Sequence, residues 1–116
     1  MESSEINNLI AEKVMGWHLQ KMKYVAAWFD ENSNWTLKQT WNPSNDIRDA
    51  WQVVEKMRKE YDFWFELTTP ESFSLKTKCY FQLDDIEVSA VCEIAPLAIC
   101  KAALLAIEAK NKNLTK

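Results

Sequence analysis

Apolar and polar positions recur in two rhythms along this chain, and each predicts a different kind of element. Ile6, Leu9, Ile10, Val14 and Trp17 repeat near the helical period, predicting a first helix over roughly residues 4–15. Ser3 or Ser4 stands where its cap belongs, and Gly16 suits the left-handed residue past its end. Ile47, Ala50, Trp51, Val54, Met57 and Tyr61 form a second helical stripe, capped by Ser44 or one of the two residues after it. Asp46 and Asp49 lie in its first turn, and Lys56, Arg58 and Lys59 lie toward its end, which complements the helix dipole. Pro96 fits the first position of a third helix running to about Lys110. Between Leu97 and Ala109 its only charged residues are Lys101 and Glu108, both on one side. A helix this apolar needs cover on more than one flank, from the middle of the domain or from another subunit.

The second rhythm is that of strands. Tyr24-Val25-Ala26-Ala27-Trp28-Phe29 is a short, wholly apolar run, expected as a strand buried on both faces. Asp30-Glu31-Asn32-Ser33-Asn34 is a turn cluster, and Trp35-Thr36-Leu37 returns as the partner strand. Asn42-Pro43-Ser44 then breaks the chain. Phe63, Phe65 and Leu67 alternate with Trp64 and Glu66 ahead of a turn at Thr68-Thr69-Pro70-Glu71. Phe73, Leu75, Thr77, Cys79, Phe81 and Leu83 share one face of the next strand, and Ser74, Lys76, Lys78, Tyr80 and Gln82 share the other. After a turn at Asp84-Asp85, Ile86, Val88, Ala90 and Cys92 oppose Glu87, Ser89, Val91 and Glu93. Alternation of this kind marks half-buried antiparallel strands, with part of the sheet face wet. The expected order is α-β-β-α-β-β-β-α, an α+β sandwich-like domain over residues 1–116. It has three helices, one antiparallel sheet of about five strands and a polar tail at 110–116.

Composition changes this picture by exclusion. The 116 residues hold one domain, with 47% hydrophobic and 27% charged positions. A single glycine, Gly16, removes every glycine-rich phosphate loop, and a single histidine, His18, removes multi-histidine metal sites. A net charge of −3 argues against a broad footprint for duplex nucleic acid. Cys79, Cys92 and Cys100 form an odd set without a C-x-x-C pair, each in an apolar stretch, and are expected as core residues in a reducing compartment. The N-terminus shows no signal-peptide pattern, and no apolar stretch approaches the ~20 residues that span a bilayer. Asn34-Trp35-Thr36 and Asn113-Leu114-Thr115 match a glycosylation acceptor, which means nothing without a secretory route. A cytoplasmic location, that of a host cell, is expected. The small size makes an internal position for the last helix hard to arrange, so a homo-oligomer is expected as well.

Four stretches carry a family resemblance: Ile6-Asn7-Asn8-Leu9-Ile10-Ala11-Glu12-Lys13-Val14-Met15-Gly16-Trp17, Trp41-Asn42-Pro43-Ser44, Asp49-Ala50-Trp51-Gln52-Val53-Val54-Glu55-Lys56-Met57 and Ala95-Pro96-Leu97-Ala98-Ile99-Cys100-Lys101-Ala102-Ala103-Leu104. Together they resemble the phage ABA sandwich family of small phage and prophage proteins. The resemblance implies helices on both sides of a central sheet and a viral or prophage origin. It implies no particular activity.

Candidate chemistry begins with six tryptophans. Trp51 and Trp28 are expected in the core, whereas Trp17, Trp35, Trp41 and Trp64 sit beside polar residues or at element ends. Indole faces at a cleft can stack on nucleobases, and Arg48, Lys38, Lys76 or Lys78 can meet phosphate. Lys76, Lys78 and Tyr80 equally suit a solvated strand face. Asp84, Asp85 and Glu87 could hold Mg²⁺, although turn chemistry explains the Asp pair. His18 could act as a base, but no marked Ser or Cys nucleophile accompanies it. No catalytic residue, metal site or cofactor is expected. The leading expectation is a non-catalytic phage protein that counters host immunity by sequestering a nucleotide signal between subunits. Trp17, Trp35 and Trp41 would stack on the base, with Arg48, Lys76 and Lys78 on phosphate. Alternatives are a protein–protein inhibitor of a host defence or replication enzyme, a nucleotide-cleaving enzyme, and an accessory structural protein.

Overall fold

Burial on a helical period builds the first element, an α-helix α1 at Ser3–Leu9 that runs without a break into a π-helical turn at Ile10–Val14. The computed structural model describes residues 2–70 and 75–114. Ile6, Ile10, Ala11 and Val14 face inward, and the Met15 amide reaches back to the Ile10 carbonyl at 2.9 Å. Gly16 then adopts φ +73, the left-handed conformation expected of it. The helix is capped by the backbone at Glu2, with no side-chain hydrogen bond, so the cap expected from Ser3 or Ser4 does not form. The Ser3 hydroxyl is used elsewhere, accepting from Asn45 Nδ2 at 3.1 Å.

Among the described residues six strands follow, arranged as two separate three-stranded antiparallel sheets in place of the single sheet of about five strands expected. The first sheet comprises β1 at His18–Lys21, β2 at Ala26–Phe29 and β3 at Trp35–Leu37, in that order. β1 has no apolar alternation to betray it, because all four residues are exposed, and it exists through its backbone pairing with β2. The run from Tyr24 is shorter than expected as a strand, and Tyr24 itself is 85% exposed. Only Ala27 and Trp28 of β2 are buried, and Trp28 is the side chain of this sheet that joins the core cluster. Asp30 closes the β2–β3 turn by accepting from the amides of Asn32 and Asn34 at 2.8 and 2.9 Å.

α2 spans Ile47–Lys59, and Asp46 caps it by accepting from the Arg48 amide at 2.8 Å. Its buried positions are Ala50, Val53, Val54 and Met57. The inward stripe is therefore rotated toward Val53, and Trp51, expected in the core, is 43% exposed.

The second sheet orders β4 at Trp64–Thr68, β5 at Thr77–Leu83 and β6 at Ile86–Cys92. β4 includes Thr68, placed in a turn by the sequence reading, while Glu71 of that turn lies outside the described residues. β5 starts at Thr77, so Leu75 and Lys76 precede it, and Phe73 and Ser74 lie outside the described residues. Phe65, Cys79, Phe81, Val88, Ala90 and Cys92 share the core-facing side of this sheet. The other side carries Trp64, Glu66, Lys78, Tyr80, Gln82, Glu87 and Ser89, the wet face the alternation predicts.

α3 runs Ala95–Leu114, past the expected end at Lys110 and into the supposed polar tail, of which residues 115–116 are not described. It packs against β5 and β6, and also against α1, the π-helical turn and α2. Ala98, Ile99, Cys100, Ala102, Ala103, Ala106 and Ile107 are buried there. The nearly all-apolar helix is thus the centre of the fold, and the cover demanded of a second subunit comes largely from the chain itself. The implied layering also changes: among the described residues, helices pack on one side of the second sheet and leave its other side wet.

Candidate functional site

The loop between β3 and α2 organises one cleft on the molecule. Trp41 lies on its inner side with 4% exposure, its indole Nε1–H donating to Gln52 Oε1 at 2.8 Å. Its ring centroid is 4.8 Å from that of Trp17, which follows Gly16 at the end of the first helical segment. Asn42 then ties three segments together. Its Oδ1 accepts from Asn7 Nδ2 at 2.8 Å, from Asn45 Nδ2 at 3.1 Å and from Ser44 Oγ at 3.3 Å. Its amide donates to Asp49 Oδ2 at 2.9 Å, and the Ser44 amide donates to Asn7 Oδ1 at 3.1 Å. The Trp41-Asn42-Pro43-Ser44 motif is therefore a polar knot that clamps α1 to the start of α2, with Ser44 and Pro43 fully buried.

Outside this knot, α1 and the first sheet enclose a cleft of about 320 Å³. Trp28 and Trp41 form its apolar wall, and Asn8, Lys38, Gln39 and the Ser3 and Ser4 hydroxyls contribute polar groups. Lys38 is held in place because its amide extends the β2 pairing, donating to the Ala26 carbonyl at 3.0 Å. An ammonium, two free-ended amides and an indole wall suit a small polar ligand carrying negative charge. Among the described residues, no His, Cys or carboxylate lines the cleft.

The residues proposed from sequence for ligand binding do not meet in one place. Trp41 is in the cleft wall, and Trp17 packs behind it, half-buried. Trp35 is 60% exposed on β3, in a cross-strand row with Phe29 and His18, whose rings stack 6.0 Å apart. Arg48 projects from the first turn of α2, 3.6 Å from Asp46. Lys76 and Lys78 belong to the other sheet, Lys76 just ahead of β5 and Lys78 within it, half-buried. That face is poorly suited to an anion. Tyr80 lies between Glu66 and Ser89 in register, and its hydroxyl donates to Glu87 Oε1 at 2.6 Å, which pushes its pKa up to about 12. Asp84 and Asp85 form the two-residue turn between β5 and β6, Asp84 at φ 54, and the described residues hold no group of three ligands set for a metal. Cys79 and Cys100 are buried and Cys92 is half-buried.

Asn8 and Gln39 were not singled out by sequence reasoning. The Asn7-Asn8 pair inside an otherwise amphipathic helix was the available signal, since such residues favour caps and turns over helix interiors.

Comparison with known proteins fits this architecture. No curated protein matches the chain. A crystal structure of a phage protein from Bacillus cereus ATCC 14579 superposes with a TM-score of 0.68 at 26% sequence identity, covering 91% of this chain and 92% of that one. Among the described residues, no helix is long and apolar enough to cross a membrane. Residues 8–104 match the phage ABA sandwich domain, and the chain belongs to that family.

Proposed function

We propose that this phage protein is a non-catalytic binding protein that counters host immunity in the host cytoplasm by sequestering a nucleotide signal. The observation that carries the reading is the α1–sheet cleft, where Lys38 stands beside the amides of Asn8 and Gln39 over a wall of Trp28 and Trp41. Phosphate would meet the Lys38 ammonium and amides would read base or ribose edges, with only the margins of the two buried indoles against the base. Its volume of about 320 Å³ suits one small nucleotide and not a polymer.

The test is thermal shift and native mass spectrometry with a panel of cyclic and ADP-ribose-type nucleotides. A ligand at a hundredfold excess over its Kd stabilises the fold by about 2.7 kcal/mol, a shift of several degrees. Lys38→Ala should abolish the shift while leaving the unliganded melting temperature close to that of the parent. No shift and no retained mass across the panel would overturn the reading.

A second reading, a protein–protein inhibitor of a host defence or replication enzyme, is favoured by the exposed indoles of Trp64 (63%) and Trp35 (60%). Co-purification of one host enzyme with tagged protein, lost on Trp64→Ala or Trp35→Ala, would select it.

A further inference from the structure

The centre of the fold leaves one stripe of α3 open. Lys101, Leu105, Glu108 and Lys112 are exposed and follow one another at helical spacing, while Ala102, Ala103, Ala106 and Ile107 between them are buried. Leu105 is 45% exposed, and beside it a groove of about 370 Å³ is lined by Ile6, Ala90, Leu104 and Leu105, with Lys101 and Glu108 at its ends. Ala90 belongs to β6, which among the described residues is an edge strand of the second sheet, so a strand edge borders the groove.

The charge pattern selects the occupant. From Lys101 to Glu108 the stripe reads cation, leucine pair, anion, and this segment is complementary to itself when reversed. A two-fold axis between Leu104 and Leu105 sets Lys101 of one copy opposite the partner's Glu108, and Leu105 against the partner's Leu104. The same operation repeats every contact, as an isologous interface requires. A parallel pairing would instead place Lys101 against Lys101 and Glu108 against Glu108. Glu108 is already held at 3.2 Å by Lys112 one turn on, which keeps its carboxylate directed along the stripe. Lys101 has no ion pair among the described residues, leaving its ammonium for the second copy.

We infer that two copies of this chain pair through the exposed stripe of α3, antiparallel and two-fold symmetric. Leu104 and Leu105 would be buried at the centre, with crossed Lys101–Glu108 ion pairs at both ends. The inference is independent of the nucleotide reading, because the cleft that carries that reading involves neither α3 nor β6.

Sedimentation or light scattering across a concentration series tests it. The parent chain should be a dimer at micromolar concentration. Leu105→Glu should give a monomer with an unchanged melting temperature at low concentration, because the side chain is exposed within one copy. Lys101→Glu alone should weaken the dimer by about tenfold or more. Glu108→Lys alone should do the same, and the double reversal K101E/E108K should recover most of the loss, since both crossed pairs re-form with opposite sign. A monomeric parent chain, or a dimer indifferent to Leu105→Glu, or single reversals that the double does not rescue, would each overturn the inference.

Discussion

Asn7 and Asn42, 35 residues apart, share a hydrogen bond of 2.8 Å that links the first helix to the loop entering α2. Because Asn42 Oδ1 also receives Ser44 and Asn45, one side chain satisfies donors from three places. Asn42→Ala leaves the partly buried donors of Asn7 and Ser44 without this acceptor, at a cost of about 1–3 kcal/mol. The melting temperature should fall by roughly 4–10 °C, as is usual for a domain of this size. Asn42→Asp keeps the acceptor and should be the milder of the two. Equal losses in both variants, measured by differential scanning calorimetry, would contradict this account.

Trp41 and Trp35 carry the same ring in opposite settings, and substitution should separate them. Trp41→Phe removes the donor to Gln52 and opens space against Trp17, costing about 1–3 kcal/mol. Trp35→Phe should change stability by no more than about 0.5 kcal/mol. Acrylamide quenching gives an independent check: loss of Trp35 or of Trp64 should remove a strongly quenched component of the emission, whereas loss of Trp41 should not.

These two tryptophans also show which parts of the structure the sequence discloses. α2 was legible because one buried stripe opposes solvent, yet Trp51 was misplaced because it borders that stripe, and Val53 takes the inward position instead. The alternation in β5 and β6 was legible because one face meets α3 and the other meets water. β1 was invisible, since a strand exposed at all four positions has no apolar period, and its partner is chosen by backbone pairing that composition does not encode. Division into two sheets is likewise a long-range property, as is the central position of α3. The cleft was legible only in part. Trp41 drew notice as a type, but its role follows from Gln52, which accepts from its indole, and from Trp17, which packs on its ring, both elsewhere in the chain.

The cysteines should behave as packing residues in the native state. Burial pushes the thiols of Cys79 and Cys100 up to about 12, with the neighbouring cysteines adding to the shift. At pH 8 a thiol of that pKa is about one part in ten thousand thiolate, and thiolate is the reactive form. A disulfide reagent should therefore modify at most Cys92 in the folded protein, and all three cysteines after denaturation. Rapid modification of two or three thiols under native conditions would show that the α3–sheet core opens locally.

Acid sensitivity should trace in part to the α2 cap. The Arg48 amide donates to Asp46, and this hydrogen bond holds the carboxyl below its usual range. The Lys59 ammonium does the same for Glu55. A carboxyl whose folded pKa is depressed adds stability that is complete above its unfolded pKa, near about 4, and that is lost as pH falls through the lower folded value. The melting temperature should thus decline below about pH 4. Asp46→Asn retains an acceptor at the cap but has no charge to titrate, so its profile should start lower at neutral pH and fall less steeply in acid. Both carboxylates are partly exposed, and added salt should shrink the difference between the two profiles. Parallel acid limbs for Asp46→Asn and the parent chain would remove the cap from the account and leave the remaining carboxylates to explain the decline.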